Sequence, residues 1–420
     1  MGYLKKVLES ELFVNCVTVI TTQLLNSLNK RRLLKLIRKA LLMPLLILAF
    51  FITDLLSLVF LGLDIYLWRE WYNYRDTFED EYARRCLYGA IALWVYILIG
   101  GRPLIRMLLS KSRKGEDEPK PERSHDQEEL RRADGSLINI EHYGNKSKPA
   151  IIFIHGWNSN SMQWYYQKKF FRKDHHLILI DLPGLGKSRR PDNKDFSLKN
   201  MASVLNDVIE KTKPREPVIW GHSMGGMTIL SFCKTYRHKL NSIKGIILEH
   251  TTYTNPVKTI ILSKFLAAIQ NPVLKPLCRL IIFFSPLIWL SRWMSYANGN
   301  MLIMTRFLTF AGTQSGTQLD FASLLSAMAP PAITARGVLG MFNYDATDIL
   351  KNLTIPVLIL GADNDRLTKL EASEFMKSSI PGSQLVVLKP AGHMGLIEQH
   401  QEVNTTVSKF ISSIGALKRK

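Results

Sequence analysis

Ser223 is the residue of this chain best placed to act as a nucleophile. It lies in Gly221-His222-Ser223-Met224-Gly225, directly after the apolar run Pro217-Val218-Ile219-Trp220. A strand running into G-x-S-x-G turns sharply into a helix and leaves the serine at the apex in strained backbone geometry. A side chain in place of Gly221 or Gly225 would crowd that turn. A serine alone is a weak nucleophile and needs a base held by an acid, in the chain order serine, carboxylate, histidine. The same order recurs downstream. The run Ile355 to Gly361 empties into Ala362-Asp363-Asn364-Asp365-Arg366-Leu367-Thr368, and Leu385 to Leu388 leads to Pro390-Ala391-Gly392-His393-Met394. Each group arrives at the C-terminal end of a predicted strand, which is the chemistry of acyl transfer.

Two further segments complete the expected site. Ala150 to Ile154 is a predicted strand ending in His155-Gly156-Trp157, and Leu177 to Ile180 is the next, followed by Asp181-Leu182-Pro183-Gly184-Leu185-Gly186-Lys187-Ser188. The backbone N–H groups of Trp157 and Met224 are the candidate donors for a developing oxyanion, each worth about 10²–10³ in rate. His155 and His222 are read as shaping the backbone around the site. Glu249, after the strand Gly245 to Leu248, is a remoter candidate for the acid.

Taken together, H-G-W, D-L-P-G-L-G-K-S, G-H-S-M-G-G, G-A-D-N-D-R-L-T and A-G-H-M resemble the α/β-hydrolase superfamily, and within it the monoglyceride-lipase and esterase-like serine hydrolases. The resemblance covers about residues 130–418. It implies a mostly parallel central sheet with helices on both faces and a helical cap. It also implies Ser223 as nucleophile, His393 as base and Asp365 as acid, the Asp-Arg-Leu-Thr stretch matching at Asp365 and not at Asp363. The substrate does not follow, because one fold hosts many chemistries.

Other reactive residues carry less. His176 and Asp181 match H-x₄-D, a pattern linked with acyltransferases, but here it spans a buried strand. After His393 the corresponding position is Glu398, not Asp. No cysteine–histidine cluster has metal-ligand spacing and no phosphate-binding glycine motif is present, so neither a metal nor a cofactor is expected. Four scattered cysteines, at 16, 86, 233 and 278, share no framework spacing and fit a reducing compartment. The net charge of +20 sits beside apolar segments, not among stacking aromatics, which favours a membrane surface over nucleic acid.

Outward from the site, residues 1–110 read as a membrane-anchoring region. An amphipathic helix is expected from about Leu12 to Leu28, then a basic block, Lys30 to Lys39. Ala40 to Leu63 holds one charge, Asp54, and at 1.5 Å per residue is long enough to cross a ~30 Å hydrocarbon core. A second candidate span, Cys86 to Gly101, is uncharged but short. Basic flanks at 30–39 and 102–114, with an acid-rich loop between the spans, place both flanks and the catalytic domain on the cytoplasmic side by the positive-inside rule. Residues 111–130 are expected to be a loose charged linker, and the catalytic domain, 131–418, to open with an antiparallel edge strand at 136–141.

About a hundred residues separate the strand ending at 249 from the one starting at 355. That is too long for a loop and predicts a helical cap over 252–345. The cap is rich in Leu, Ile, Phe and Trp with an excess of positive charge. It is expected to touch a bilayer and admit an acyl chain, with Phe283, Phe284 and Trp289 against the substrate. The reading is a membrane-anchored carboxylic ester hydrolase acting on a lipid-like substrate through an acyl-enzyme. An acyltransferase or thioesterase on the same triad, or an inactive membrane-tethered binding protein, remain as alternatives. Oligomeric state is not legible.

Overall fold

The computed structural model describes residues 59–111 and 117–416. The chain divides into Met1–Val59 and Phe60–Lys420, and the second unit holds the sheet, the cap and every residue of the candidate site. The expected amphipathic helix at 12–28, the basic block at 30–39, Asp54 and most of the 40–63 span lie outside the described residues.

Eight short apolar or alternating runs build one sheet: β1 (Gln127–Arg131), β2 (Leu137–Tyr143), β3 (Ala150–Ile154), β4 (His176–Ile180), β5 (Val218–His222), β6 (Gly245–Glu249), β7 (Val357–Ala362) and β8 (Gln384–Leu388). Their order is β1-β2-β4-β3-β5-β6-β7-β8. β1 and β2 pair antiparallel, as do β2 and β4, and the remaining pairs are parallel. β3 to β7 are buried on both faces, which is why they read as continuous Ile, Leu and Val runs with no alternation. Helices cover both faces. Leu198–Thr212 and Met224–Thr235 pack on each other over one core, holding Met201, Leu205, Ile229 and Phe232; His400–Ala416 closes the other with Val403, Val407 and Phe410.

The edge of the sheet corrects one expectation. Leu137–Tyr143 is the second strand, and Gln127–Arg131 lies outside it, within the stretch expected to be a linker. An edge strand tolerates charge on its open side, so Gln-Glu-Glu-Leu-Arg carries none of the apolar signal of an inner strand. The rest of that stretch is held as well. Arg123 forms ion pairs with the buried carboxylates of Glu141 and Asp181, the latter at 2.8 Å, and Asp117 accepts a hydrogen bond from Tyr165 at 3.1 Å.

Between β6 and β7 the chain leaves the sheet and returns, its two ends joined by a bridge between Thr254 and Asp345. The excursion holds the helices Ser263–Ile269, Lys275–Phe283, Ser285–Ala297, Asn300–Thr309, Gly316–Met328 and Pro331–Met341. Helix Gly101–Leu109, just beyond the second candidate span, rests on this cap. Arg102 makes a bidentate pair with Asp320, at 2.6 and 2.7 Å, and a side chain at Gly101 would collide with the Asn298 carbonyl. The candidate span is itself bent. Asp80–Leu98 and Gly101–Leu109 meet at 45°, and only as a pair are they long and apolar enough to cross a membrane. Ser263–Phe283, in the cap, meets the same criterion alone, by length and composition. It is not among the spans expected from the sequence, because Lys264, Lys275 and Arg279 interrupt its apolar run.

Candidate active site

Three strand ends bring the expected residues together at the C-terminal edge of the sheet. β5 delivers Ser223, which has φ 52° and ψ −118° and stands immediately before helix Met224–Thr235. Such a conformation is costly for a residue with a side chain and persists only where its surroundings impose it. Here they do. The Ser223 N–H donates to the Glu249 carbonyl, and its own carbonyl accepts from Thr251 Oγ1 at 2.6 Å and from the Gly226 N–H at 2.9 Å. A Cβ on Gly225 would stand 2.1 Å from the Ile154 carbonyl oxygen, and one on Gly221 would meet the Gly225 backbone at 2.5 Å. The sharp strand-to-helix turn therefore excludes side chains at both flanks.

β7 delivers Asp365 and β8 delivers His393. The imidazole Nδ1 lies 2.9 Å from Asp365 Oδ2, and both residues are buried. The carboxylate is fully engaged. Oδ1 accepts the N–H groups of Leu367 and Thr368, at 2.8 and 2.9 Å, and Oδ2 accepts the Thr368 hydroxyl at 2.7 Å. Burial alone would raise this carboxyl. The adjacent His393, with these hydrogen bonds, outweighs it and holds Asp365 down at about 2. Asp365 is thus an anion fixed to one ring nitrogen, leaving Nε2 of His393 to accept a proton. Asp363 faces elsewhere: its carboxylate takes the Ala391 N–H at 3.1 Å and the Asn364 side chain at 2.9 Å. Glu249 is also separate. It accepts the Trp220 indole N–H at 2.8 Å in a fully buried setting, which pushes its carboxyl up to about 8. A carboxyl neutral at pH 7 cannot stabilise an imidazolium.

The two support histidines have definite tautomers. His155 Nε2 accepts the Leu182 N–H at 2.9 Å, so Nδ1 bears the proton and donates to the Gly156 carbonyl at 2.8 Å. That bond turns the Gly156 carbonyl towards His155. In a trans peptide the following N–H points the opposite way, so the N–H of Trp157 is directed away from His155. His222 Nε2 donates to the His393 carbonyl at 2.9 Å and its Nδ1 faces Gly156, where a Cβ would stand 2.7 Å away. Burial holds both rings neutral, lowering His155 and taking His222 well below the ordinary range.

The cap grips the loop after β3, which the sequence did not reveal. The Trp157 indole donates to the Thr334 carbonyl at 2.8 Å, and Arg292 donates to Asn158 at 3.1 Å and to the Ala329 carbonyl at 2.6 Å. A side chain at Gly337 would meet the Trp157 indole at 3.3 Å and the Met224 sulfur at 3.9 Å, so helix Pro331–Met341 packs against the side chains of the two residues expected to donate to the oxyanion. Thr368 is a supporting residue that sequence reasoning does not single out, although its place three residues after Asp365, where a hydroxyl turns back on a carboxylate, is a usable signal. Phe283, Phe284 and Trp289 sit on the cap surface, 77%, 47% and 39% exposed. Helices Lys275–Phe283 and Ser285–Ala297 turn Leu277, Leu280, Leu287 and Leu290 outward beside them, while the Trp289 indole donates to the Ala327 carbonyl at 3.2 Å. His176 and Asp181 take unrelated partners, His142 and Arg123, at opposite ends of β4. Among the described residues no group of three or more His, Cys, Asp or Glu is arranged to hold a metal ion.

Comparison with known proteins agrees with this fold. A family model described as alpha/beta hydrolase fold matches residues 149–399. A pimeloyl-[acyl-carrier protein] methyl ester esterase of Aeromonas salmonicida is 24% identical over 65% of this chain and 99% of its own. The monoacylglycerol lipase ABHD6 of Mus musculus is 23% identical over 64% of this chain and 76% of its own. Among solved structures, a thermophilic esterase from Thermogutta terrifontis superimposes with a TM-score of 0.55 at 22% identity, over 69% of this chain and 99% of that one.

Proposed function

Since the chain belongs to the α/β-hydrolase fold family, we propose that it is a membrane-associated serine hydrolase that cleaves the ester of an acyl-chain substrate through an acyl-enzyme on Ser223. The chain is a carboxylic ester hydrolase of the esterase and lipase type; the proposal adds the residue roles, the substrate class and the membrane. The single observation that carries it is the 2.9 Å contact between His393 and the anionic Asp365, at the same sheet edge as the strained Ser223.

In this reading His393 Nε2 takes the proton of Ser223 as its oxygen attacks the ester carbonyl. Asp365 keeps the other ring proton on Nδ1 and stabilises the imidazolium without taking the proton. The N–H groups of Trp157 and Met224 receive the oxyanion, and helix Pro331–Met341 packs against both side chains, with the Trp157 indole bonded to the Thr334 carbonyl, which holds the donors in place before the charge develops. His393 then protonates the leaving alcohol. A water enters, loses a proton to the same nitrogen as it attacks the acyl carbonyl, and that proton returns to Ser223 as the acyl–oxygen bond breaks and the acid leaves.

The membrane and the acyl chain are supported by the cap. Leu262, Phe265, Val273, Leu277, Leu280 and Phe283 are 43–77% exposed, on a segment whose only charges are Lys264, Lys275 and Arg279. Both ends of the excursion return to the same sheet, so Ser263–Phe283 cannot cross a bilayer and come back through the 13-residue helix that follows. An apolar, basic helix held in that way lies in the interface plane. The homologous lipase acts on monoacylglycerols, as its name states, which fits a substrate drawn from that layer.

A fluorophosphonate probe tests the assignment. It should label the protein, and Ser223→Ala should abolish labelling. On an ester panel, kcat/KM should rise as the acyl chain lengthens from about four to twelve carbons, each buried methylene contributing ~0.8 kcal/mol up to the limit of the pocket. A preference for short, water-soluble esters throughout refutes the acyl-chain reading.

A further inference from the structure

His393 hangs from the weakest support of the three catalytic strand ends. Ser223 follows β5 and Asp365 follows β7, both flanked on two sides, whereas His393 follows β8, the outermost strand, which pairs with β7 alone. The loop that carries the base therefore needs bracing from outside the sheet.

Glu398 supplies it. The residue is five positions beyond His393, ends the short helix Gly395–Glu398 and is fully buried. Its side chain folds back over its own turn. Oε2 accepts the Gly392 N–H at 2.9 Å, one residue before His393. Oε1 accepts the N–H groups of Gly312 and Thr313 at 2.9 Å and the Thr313 hydroxyl at 2.9 Å, while the Ala311 N–H is shared between the two oxygens. Residues 311–313 are the cap's own backbone, just past helix Asn300–Thr309. One carboxylate thus joins the catalytic loop to three successive cap amides, a concave arrangement that suits an anion. The contact surface is close throughout: the Met394 N–H donates to the Thr309 carbonyl at 2.8 Å, and a Cβ on Gly392 would stand 2.5 Å from that oxygen.

We infer that Glu398 is a positioning residue for His393, setting the imidazole between Asp365 and Ser223 by clamping Gly392 to the 311–313 loop of the cap. The inference rests on the proposed role of His393 as base. Glu398 touches no reacting atom and acts through the loop. The H-x₄-E spacing, a departure from the acyltransferase pattern, is in this fold the distance needed for a carboxylate to reach back to the amide before the histidine. The cap accordingly grips both sides of the site, the oxyanion loop through Thr334 and Arg292 and the base through Glu398.

The test uses the full chain in detergent micelles, a p-nitrophenyl ester and a fluorophosphonate probe. Glu398→Gln keeps the volume but turns an NH₂ towards amide donors. It should lower kcat and the labelling rate in parallel by ~10–100-fold, the effect of a displacement on the order of 1 Å, with KM changed by less than about threefold and kcat expressed per titrated active site. Thr313→Val removes one of the donors and should lower kcat about two- to fivefold, with KM again unmoved. It carries the test alone if Glu398→Gln does not fold. Wild-type turnover per titrated site in the folded variants overturns the inference, because a merely structural clamp reduces the number of active sites and not their rate. A rise in KM at constant kcat overturns it as well. Labelling that survives Ser223→Ala refutes the underlying nucleophile assignment instead and is a separate signature.

Discussion

Asp365→Asn is the substitution whose outcome the geometry specifies most closely. Asp365 Oδ1 accepts two backbone N–H groups, from Leu367 and Thr368, and neither donor can turn away. The carboxamide oxygen of an asparagine must therefore take the Oδ1 position, which places its NH₂ at Oδ2, 2.9 Å from His393 Nδ1. An NH₂ there donates to Nδ1 and drives the ring proton to Nε2. That is the wrong tautomer for a base facing Ser223, and the counter-charge for the imidazolium is lost at the same time. Loss of a triad carboxylate by this route costs about 10⁴-fold in kcat, or roughly 5 kcal/mol of transition-state stabilisation. Asp363→Asn should cost less than about threefold, since an amide oxygen still accepts the Ala391 N–H at an ordinary neutral hydrogen bond. The assay is kcat on a p-nitrophenyl ester, with thermal melting as a control for folding. Equal losses from the two variants, or a larger loss from Asp363→Asn, would falsify the argument.

Glu249 should make stability fall with rising pH: the unfolded chain releases that proton near pH 4.5, whereas the buried group holds it to about 8, so up to about 5 kcal/mol is lost across this window. Glu249→Gln should flatten the Tm-against-pH profile between pH 5 and 8; a wild-type curve parallel to the variant's contradicts the buried neutral carboxyl. Phe283→Ser, at a side chain 77% exposed on the cap, should slow hydrolysis of a long-chain ester held in vesicles by roughly ten- to hundredfold, the loss expected from one interfacial anchor of ~1.5–3 kcal/mol, and leave a short soluble ester unaffected. Equal effects on both substrates remove the cap from the interface. For topology, a cysteine introduced at residue 77 in a background lacking the native cysteines should react with an impermeant reagent from outside, and one at residue 120 should not; the opposite pattern inverts the orientation.

Much of the fold was legible because inner parallel strands are written in consecutive apolar residues. Ile151 to Ile154, Leu177 to Ile180 and Val357 to Leu360 carry that signal without any partner in view. The outermost strand was not legible, since Gln127–Arg131 is polar apart from Leu130 and is held in place mainly by its pairing with Leu137–Tyr143. Likewise, the hundred-residue gap between β6 and β7 and its apolar, basic composition announced a cap with an outward apolar surface, but not which of its apolar residues at 265–290 would form that surface. Which face of a helix is buried depends on what packs against it.

The sequence by itself determined which groups can react. Ser223 in its glycine-flanked turn, a carboxylate just past the strand ending near 361 and His393 are local facts of residue type, spacing and strand end. What only the tertiary structure decided is which of them meet and what holds them there. Asp363 and Asp365 are two residues apart and chemically identical; the path of the loop turns one to an amide and the other to the imidazole. Glu249 has the charge of an acid in the sequence and loses it in the fold, because a carboxyl sealed beside Trp220 is cheaper to bury with its proton. Glu398 is an ordinary glutamate until residues 311–313, some eighty-five positions away, bring it three amides. Reactivity is encoded by side chains one at a time, whereas alignment, desolvation and bracing are properties of contacts between segments that the chain order keeps far apart.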